Sequence, residues 1–114
     1  MVGLQRASCP FSFSPSNLHS QGNLPSYDGS IDANLLPYFL SAMEAMDHEM
    51  GRLLNSLTPE EIANTIIIFI GDNGTPNRVT QLPYVTMRSK GSIYQGGINV
   101  PMVISGLGVN RMGE

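Results

Sequence analysis

The apolar residues of this chain fall into two kinds of pattern, and each predicts a different element. From Thr65 to Ile70 the sequence reads Thr-Ile-Ile-Ile-Phe-Ile, with no charge and no polar alternation. A run that apolar throughout predicts a strand buried on both faces, as in a parallel sheet covered by helices. Val100 to Ile104 predicts a second short apolar strand, with Pro101 tolerated near its start or at a sheet edge. The pattern differs between Phe39 and Leu57. Here Phe39, Met43, Met46, Met50, Leu53, Leu54 and Leu57 recur at three- and four-residue steps. That spacing predicts one amphipathic helix, with Pro37 in its first turn and the methionines filling a core. Glu44, Asp47, Glu49, Arg52 and Asn55 fall largely on the opposite face, with His48 among them as a surface residue.

Local signals join these patterns. Thr58-Pro59-Glu60-Glu61 has the spacing of a capping box with proline at the first helical position, so one short turn leads into the isoleucine strand. Helix, turn and buried strand make half of an α/β unit. Upstream, Cys9 to Tyr27 is rich in Ser, Pro, Asn and Gly. Phe11 and Phe13 predict a brief strand near residues 10–14, and His19 lies in the loop after it, where a histidine is ordinarily solvated. Ser26 to Asp32 is turn chemistry leading into the helix. The expected layout is mostly loop over residues 1–32, helix over 33–57, strand and loop over 64–74, and a Lys/Gly segment with a strand over 90–105.

The isoleucine strand ends at Asp72-Asn73-Gly74. Asp72 is the only acidic residue between Glu61 and Glu114. Ligands of open α/β sheets bind outside the carboxyl ends of the strands, so an acid and an amide there suit a ligand site. Asn-Gly after a strand is also the commonest tight hairpin turn. Thr75 to Tyr84 holds two prolines and no clean alternation, and reads as a loop. Spacing alone leaves turn and ligand site both open. Beyond the loop, Gly91, Gly96 and Gly97 imply positive φ or close backbone approach.

Composition narrows the classes. The chain has 114 residues, 41% hydrophobic and only 13% charged, which allows at most one domain. A net charge of −3 and a pI near 5.2 argue against a nucleic-acid binder. From Ile62 to Gly113, however, Arg78, Arg88, Lys90 and Arg111 face Asp72 alone. A locally basic half suits an anionic small ligand. One cysteine, Cys9, excludes an internal disulfide. No apolar run is long enough for a transmembrane segment, and the N-terminus lacks the apolar core of a signal peptide.

Several of these pieces together resemble the sulfatase family, within the alkaline-phosphatase-like superfamily. Met46-Asp47-His48-Glu49-Met50-Gly51-Arg52-Leu53-Leu54 looks like the family's segment ahead of its metal-ligand strand. Asn64 to Gly74, Asn-Thr-Ile-Ile-Ile-Phe-Ile-Gly-Asp-Asn-Gly, resembles that strand and its Asp-Asn-Gly ending. Lys90-Gly91-Ser92-Ile93-Tyr94-Gln95-Gly96-Gly97-Ile98-Asn99-Val100-Pro101 looks like the family's lysine–glycine segment, where glutamate is commoner than Gln95. The three stand in family order with family-like spacing, and the resemblance runs from about Pro10 to the C-terminus.

The resemblance implies an α/β fold: a partial alkaline-phosphatase-like sandwich, a mostly parallel sheet flanked by helices, incomplete in this chain. It implies that Asp72 and Asn73 are side-chain oxygen ligands of one divalent cation, usually calcium, and hard oxygen donors agree with that ion. Phosphate-cleaving relatives more often place histidine after that aspartate, so Asn73 favours a sulfate ester over a phosphate or phosphonate ester. Lys90 matches the lysine that contacts the sulfate and the ester oxygen. His19 matches a histidine near the leaving group, although Ser20-Gln21 departs from the threonine or proline that often follows it. The substrate would be a small-molecule or carbohydrate sulfate ester.

The family's formylglycine nucleophile arises in a Cys/Ser-x-Pro-x-Arg motif well upstream. Cys9 is followed by Pro-Phe-Ser-Phe and does not fit it. The expectation is therefore part of a sulfatase catalytic domain, inactive by itself, with a non-catalytic remnant or interaction module as the alternative. Family members are commonly periplasmic, secreted or lysosomal; nothing in the sequence chooses among these.

Overall fold

The computed structural model describes residues 14–25 and 34–109. The expected strand near residues 10–14, Cys9 and the turn at Ser26–Asp32 lie wholly or largely outside them. The chain divides into two compact units, Met1–Gly51 and Arg52–Glu114, with the division inside the long helix.

In the first unit a 3₁₀ turn at Ser16–Leu18 leads through a loop to Pro25, and helix α1 runs Leu36–Asn55. Pro37 sits in its first turn, where a missing N–H costs no helical hydrogen bond. The Asn34 Oδ1 accepts the N–H of Leu36 at 3.3 Å, satisfying one of the free donors at that end. The buried positions differ from those expected. Leu35, Tyr38 and Ser41 are buried, whereas Met43, Met46 and Leu53 of the apolar stripe are exposed. Tyr38 is fixed by its hydroxyl, which donates to the carbonyl of Pro25 at 2.8 Å. Phe39, Met50, Leu54 and Leu57 of the stripe are half-buried. Periodicity identifies the helix correctly but not its most deeply covered positions, because a stripe shows which side can be buried and not how much lies against it. His48 is exposed, as expected.

In the second unit helix α2 spans Pro59–Ala63 and carries the expected capping box. Thr58 Oγ1 accepts the Glu61 N–H at 3.2 Å, and the Glu61 carboxylate accepts the Thr58 N–H at 2.7 Å. Asn64 then closes the helix with its N–H on the Glu60 and Glu61 carbonyls, and strand β1 begins, Ile66–Ile70. Residues 71–101 follow, with 3₁₀ turns at Asn77–Val79 and Thr86–Arg88 and a short helix α3, Gln95–Ile98. Strand β2, Met102–Gly106, is the last element among the described residues.

The sheet corrects the expected topology. Strands β1 and β2 pair antiparallel, with Ile66 opposite Gly106, Ile68 opposite Ile104 and Ile70 opposite Met102. No parallel pair occurs among the described residues. Nor is β1 buried on both faces, as its composition predicts. Instead β1 alternates between exposed and half-buried, and every residue of β2 is exposed. Ile68, for example, is 61% exposed. A two-stranded ribbon has only one neighbour per strand, so apolar side chains on its faces stay in solvent unless a further layer covers them. Strand β2 also begins at Met102 rather than at Val100. Pro101 has no N–H to give a ladder and remains outside the strand.

Candidate active site

Asp72-Asn73-Gly74 does not form a tight hairpin. The strand that pairs with β1 returns only after residues 71–101, and Asp72 and Asn73 occupy a bend at the end of β1. Backbone hydrogen bonds fix that bend on both sides. The Gly71 N–H donates to the Pro101 carbonyl at 3.0 Å, and the Gly74 N–H donates to the Gly97 carbonyl at 3.0 Å. The Asp72 and Asn73 side chains, lying between these two anchors, are exposed.

A third bond brings in the lysine segment. The Lys90 N–H donates to the Thr75 carbonyl at 2.9 Å, one residue beyond Gly74. Together these main-chain bonds place Asp72, Asn73 and Lys90 at one end of the two-stranded ribbon. They come from separate stretches of sequence, joined where the extended loop folds back. The Lys90 side chain is exposed.

The glycines make this approach possible. A Cβ on Gly74 would lie 2.1 Å from the Gly96 carbonyl oxygen and 2.7 Å from the Gly97 Cα. A Cβ on Gly97 would lie 2.2 Å from the Ser92 carbonyl oxygen and 2.7 Å from that of Ser89. No side chain fits in either place. Gly91, next to Lys90, instead uses positive φ, at +88°, to turn the chain. Both kinds of glycine requirement expected from the sequence occur in this segment.

Under the lysine turn, Ser89 is buried and its Oγ lies 2.7 Å from Thr80 Oγ1, while it donates to the Val85 carbonyl at 3.0 Å. The Arg88 guanidinium stacks over the Tyr94 ring at 4.5 Å from its centroid. The Ser89 bonds tie the lysine turn to the loop before it, and the Arg88–Tyr94 stack ties the residues on either side of Lys90 to each other.

Asp72 and Asn73 offer one carboxylate and one amide oxygen, the hard donors that calcium or magnesium takes. Calcium takes about six to eight oxygens, and no group of three or more His, Cys, Asp or Glu side chains among the described residues could hold a metal ion. The pair fits such an ion as part of a donor set.

His19 lies in the other unit, half-buried beside the 3₁₀ turn. Its Nδ1 accepts the Gln21 N–H at 3.3 Å, and its Nε2 lies 3.3 Å from the Ser14 carbonyl oxygen. A backbone N–H can only donate, so Nδ1 is the acceptor, and Nε2 carries the hydrogen and donates it in a hydrogen bond to the Ser14 carbonyl. Glu44 is the residue that sequence reasoning passes over, as part of a solvated helix face. Its carboxylate accepts the Ser20 N–H at 2.5 Å, the Ser20 hydroxyl at 3.0 Å and the Gln21 amide at 2.5 Å. The Ser20 backbone bond, chiefly, holds its carboxyl below the usual glutamate range, with the Gln21 bond next. Only tertiary contact reveals this, because Ser20 and Glu44 are far apart in sequence.

Comparison with known proteins bears on what these residues are for. Over 60 residues, 52% of this chain, the sequence is 42% identical to a protein named ulvan-active sulfatase from Formosa agariphila. The aligned part is 9% of that protein's length, so the chain spans only a small portion of the relative it matches. No solved structure matches the chain. The sulfatase family model matches residues 9–111, a span that includes His19, the Asp72-Asn73 bend and Lys90, and the chain belongs to the sulfatase family.

Proposed function

We propose that this chain supplies the cation-binding and sulfate-binding side of a sulfuric ester hydrolase. The observation that carries the reading is the set of main-chain bonds holding the Asp72-Asn73 bend against the Lys90 segment, within a chain of the sulfatase family. Asp72 and Asn73 hold one calcium ion through side-chain oxygens, and Lys90 binds the sulfate and the ester oxygen. When bound, the ion supplies Lewis-acid stabilisation of charge on the sulfate oxygens. The Lys90 ammonium, a compact charge on a flexible stem, neutralises negative charge that grows as the S–O bond breaks. His19 is the residue that meets the leaving-group oxygen. The substrate is a small-molecule or carbohydrate sulfate ester.

The sequence contains no segment for the formylglycine nucleophile that attacks sulfur, so the 114-residue chain does not turn over sulfate esters alone. Activity belongs to a protein in which that nucleophile accompanies this chain. The test is hydrolysis of an aryl sulfate by the native protein and its K90A and D72A variants, with an aryl phosphate run alongside. K90A is expected to lower kcat by about 10²–10³-fold, the usual effect of removing one transition-state charge partner. Wild-type kcat in K90A, or faster turnover of the phosphate, refutes the assignment.

A further inference from the structure

Glu44 lies on α1 and faces the loop that carries His19. Its two oxygens take three donors from two adjacent residues: Oε2 the Ser20 N–H, Oε1 the Ser20 hydroxyl and the Gln21 amide. Gln21, held in this way, is the residue whose own N–H reaches His19 Nδ1. The chain of contacts runs from helix to carboxylate to loop to imidazole. On the far side of the ring the Ser14 carbonyl accepts the Nε2–H, and Ser14 is buried. A histidine on a free loop would sample both tautomers and many orientations, whereas this one is held at both nitrogens.

We propose that Glu44 is a positioning residue for His19: by clamping Ser20 and Gln21 onto α1, its carboxylate holds the imidazole in one orientation with its proton on Nε2. The inference rests on His19 acting at the leaving group, as assigned above. A carboxylate suits the task because it accepts at every lone pair and donates nowhere, so all three donors can meet it at once. Glutamine keeps one acceptor oxygen and turns an NH₂ toward at least one of the donors. Asp47 and His48 line the same open depression as Glu44, with Leu18 and Met43, and are the other ionisable groups of α1 on that side.

The test uses the native protein, with E44A and E44Q compared for kcat, KM and the ¹⁵N signals of His19 in long-range ¹H–¹⁵N spectra. E44A is expected to lower kcat by about 10–100-fold, the cost of misplacing a reacting group by about 1 Å. KM should change little, and the His19 nitrogens should move toward the averaged shifts of an unbiased tautomer mixture. E44Q should show the same changes to a smaller extent, and decides the matter if E44A does not fold. A folded variant with wild-type kcat and unchanged His19 signals overturns the proposal. An H19A variant of wild-type kcat would show instead that the leaving-group assignment has failed, and the tautomer signals then report on Glu44 independently.

Discussion

Gly74→Ala is the substitution that most directly probes how the Asp72-Asn73 bend is held. A Cβ at this position would stand 2.1 Å from the Gly96 carbonyl oxygen and 2.8 Å from its carbon. Unstrained carbon contacts begin near about 3.5 Å, so the two backbones must part by roughly 1 Å or more. The obstructing atoms are main chain and cannot rotate away. The Gly74 N–H to Gly97 carbonyl bond, 3.0 Å long, lies directly across this approach and is lost when the segments separate. Forced overpacking costs about 1–3 kcal/mol and the hydrogen bond about 1 kcal/mol, giving roughly 2–4 kcal/mol of destabilisation. The same separation moves Asp72 and Asn73 relative to Lys90 and should lower kcat/KM for an aryl sulfate by about 100-fold.

The assay is denaturant unfolding and turnover of the native protein, with Gly51→Ala as its control. Gly51 lies inside α1 with nothing within 4 Å of its would-be Cβ, so alanine there should stabilise by about 0.4–1 kcal/mol. If G74A matches the wild type in both stability and turnover, the close approach does not exist, and a site shared by the bend and the lysine segment goes with it.

Two further outcomes are expected. Thr58→Ala removes the cap of α2 and should cost about 1 kcal/mol at neutral pH. The Glu61 carboxyl is held below its usual range first by the Thr58 backbone bond and then by the Thr58 hydroxyl bond. A depressed folded-state value means the stabilisation is present above the ordinary glutamate range and is lost as pH falls through the lowered one. Alanine keeps the backbone N–H and removes only the hydroxyl donor. The difference between wild type and T58A should therefore shrink in acid by the share of that hydroxyl bond, and a difference independent of pH below neutrality would count against the hydroxyl–carboxylate contact. The isolated 114-residue chain should self-associate, since Ile66, Ile68, Ile70, Met102, Val103 and Ile104 are all exposed on a two-stranded ribbon. Light scattering that rises with concentration would agree, and a sharp cooperative melt of a monomer would not.

The sequence by itself determined the local elements, because local rules govern them. The capping box needs only residues 58–61, the long helix only its own periodicity and Pro37, and β1 only a run of isoleucines and a phenylalanine. The family's motifs also lie in short segments, so Asp72, Asn73 and Lys90 are legible as candidates from the sequence alone. What the sequence could not decide is which faces meet. Its periodicity puts the methionine stripe of α1 in a core, yet Leu35, Tyr38 and Ser41 are the buried positions. Its isoleucine run reads as a doubly covered strand of a parallel sheet and Val100–Ile104 as another apolar strand, yet the two pair with each other antiparallel and stay half-buried at most. An apolar side chain states a preference for cover, while strand direction depends on how a long connection returns. The bond from Gly74 to Gly97, the bond from Lys90 to Thr75 and the grip of Glu44 on the His19 loop join residues distant in sequence. Only the folded backbone brings such partners within hydrogen-bond reach.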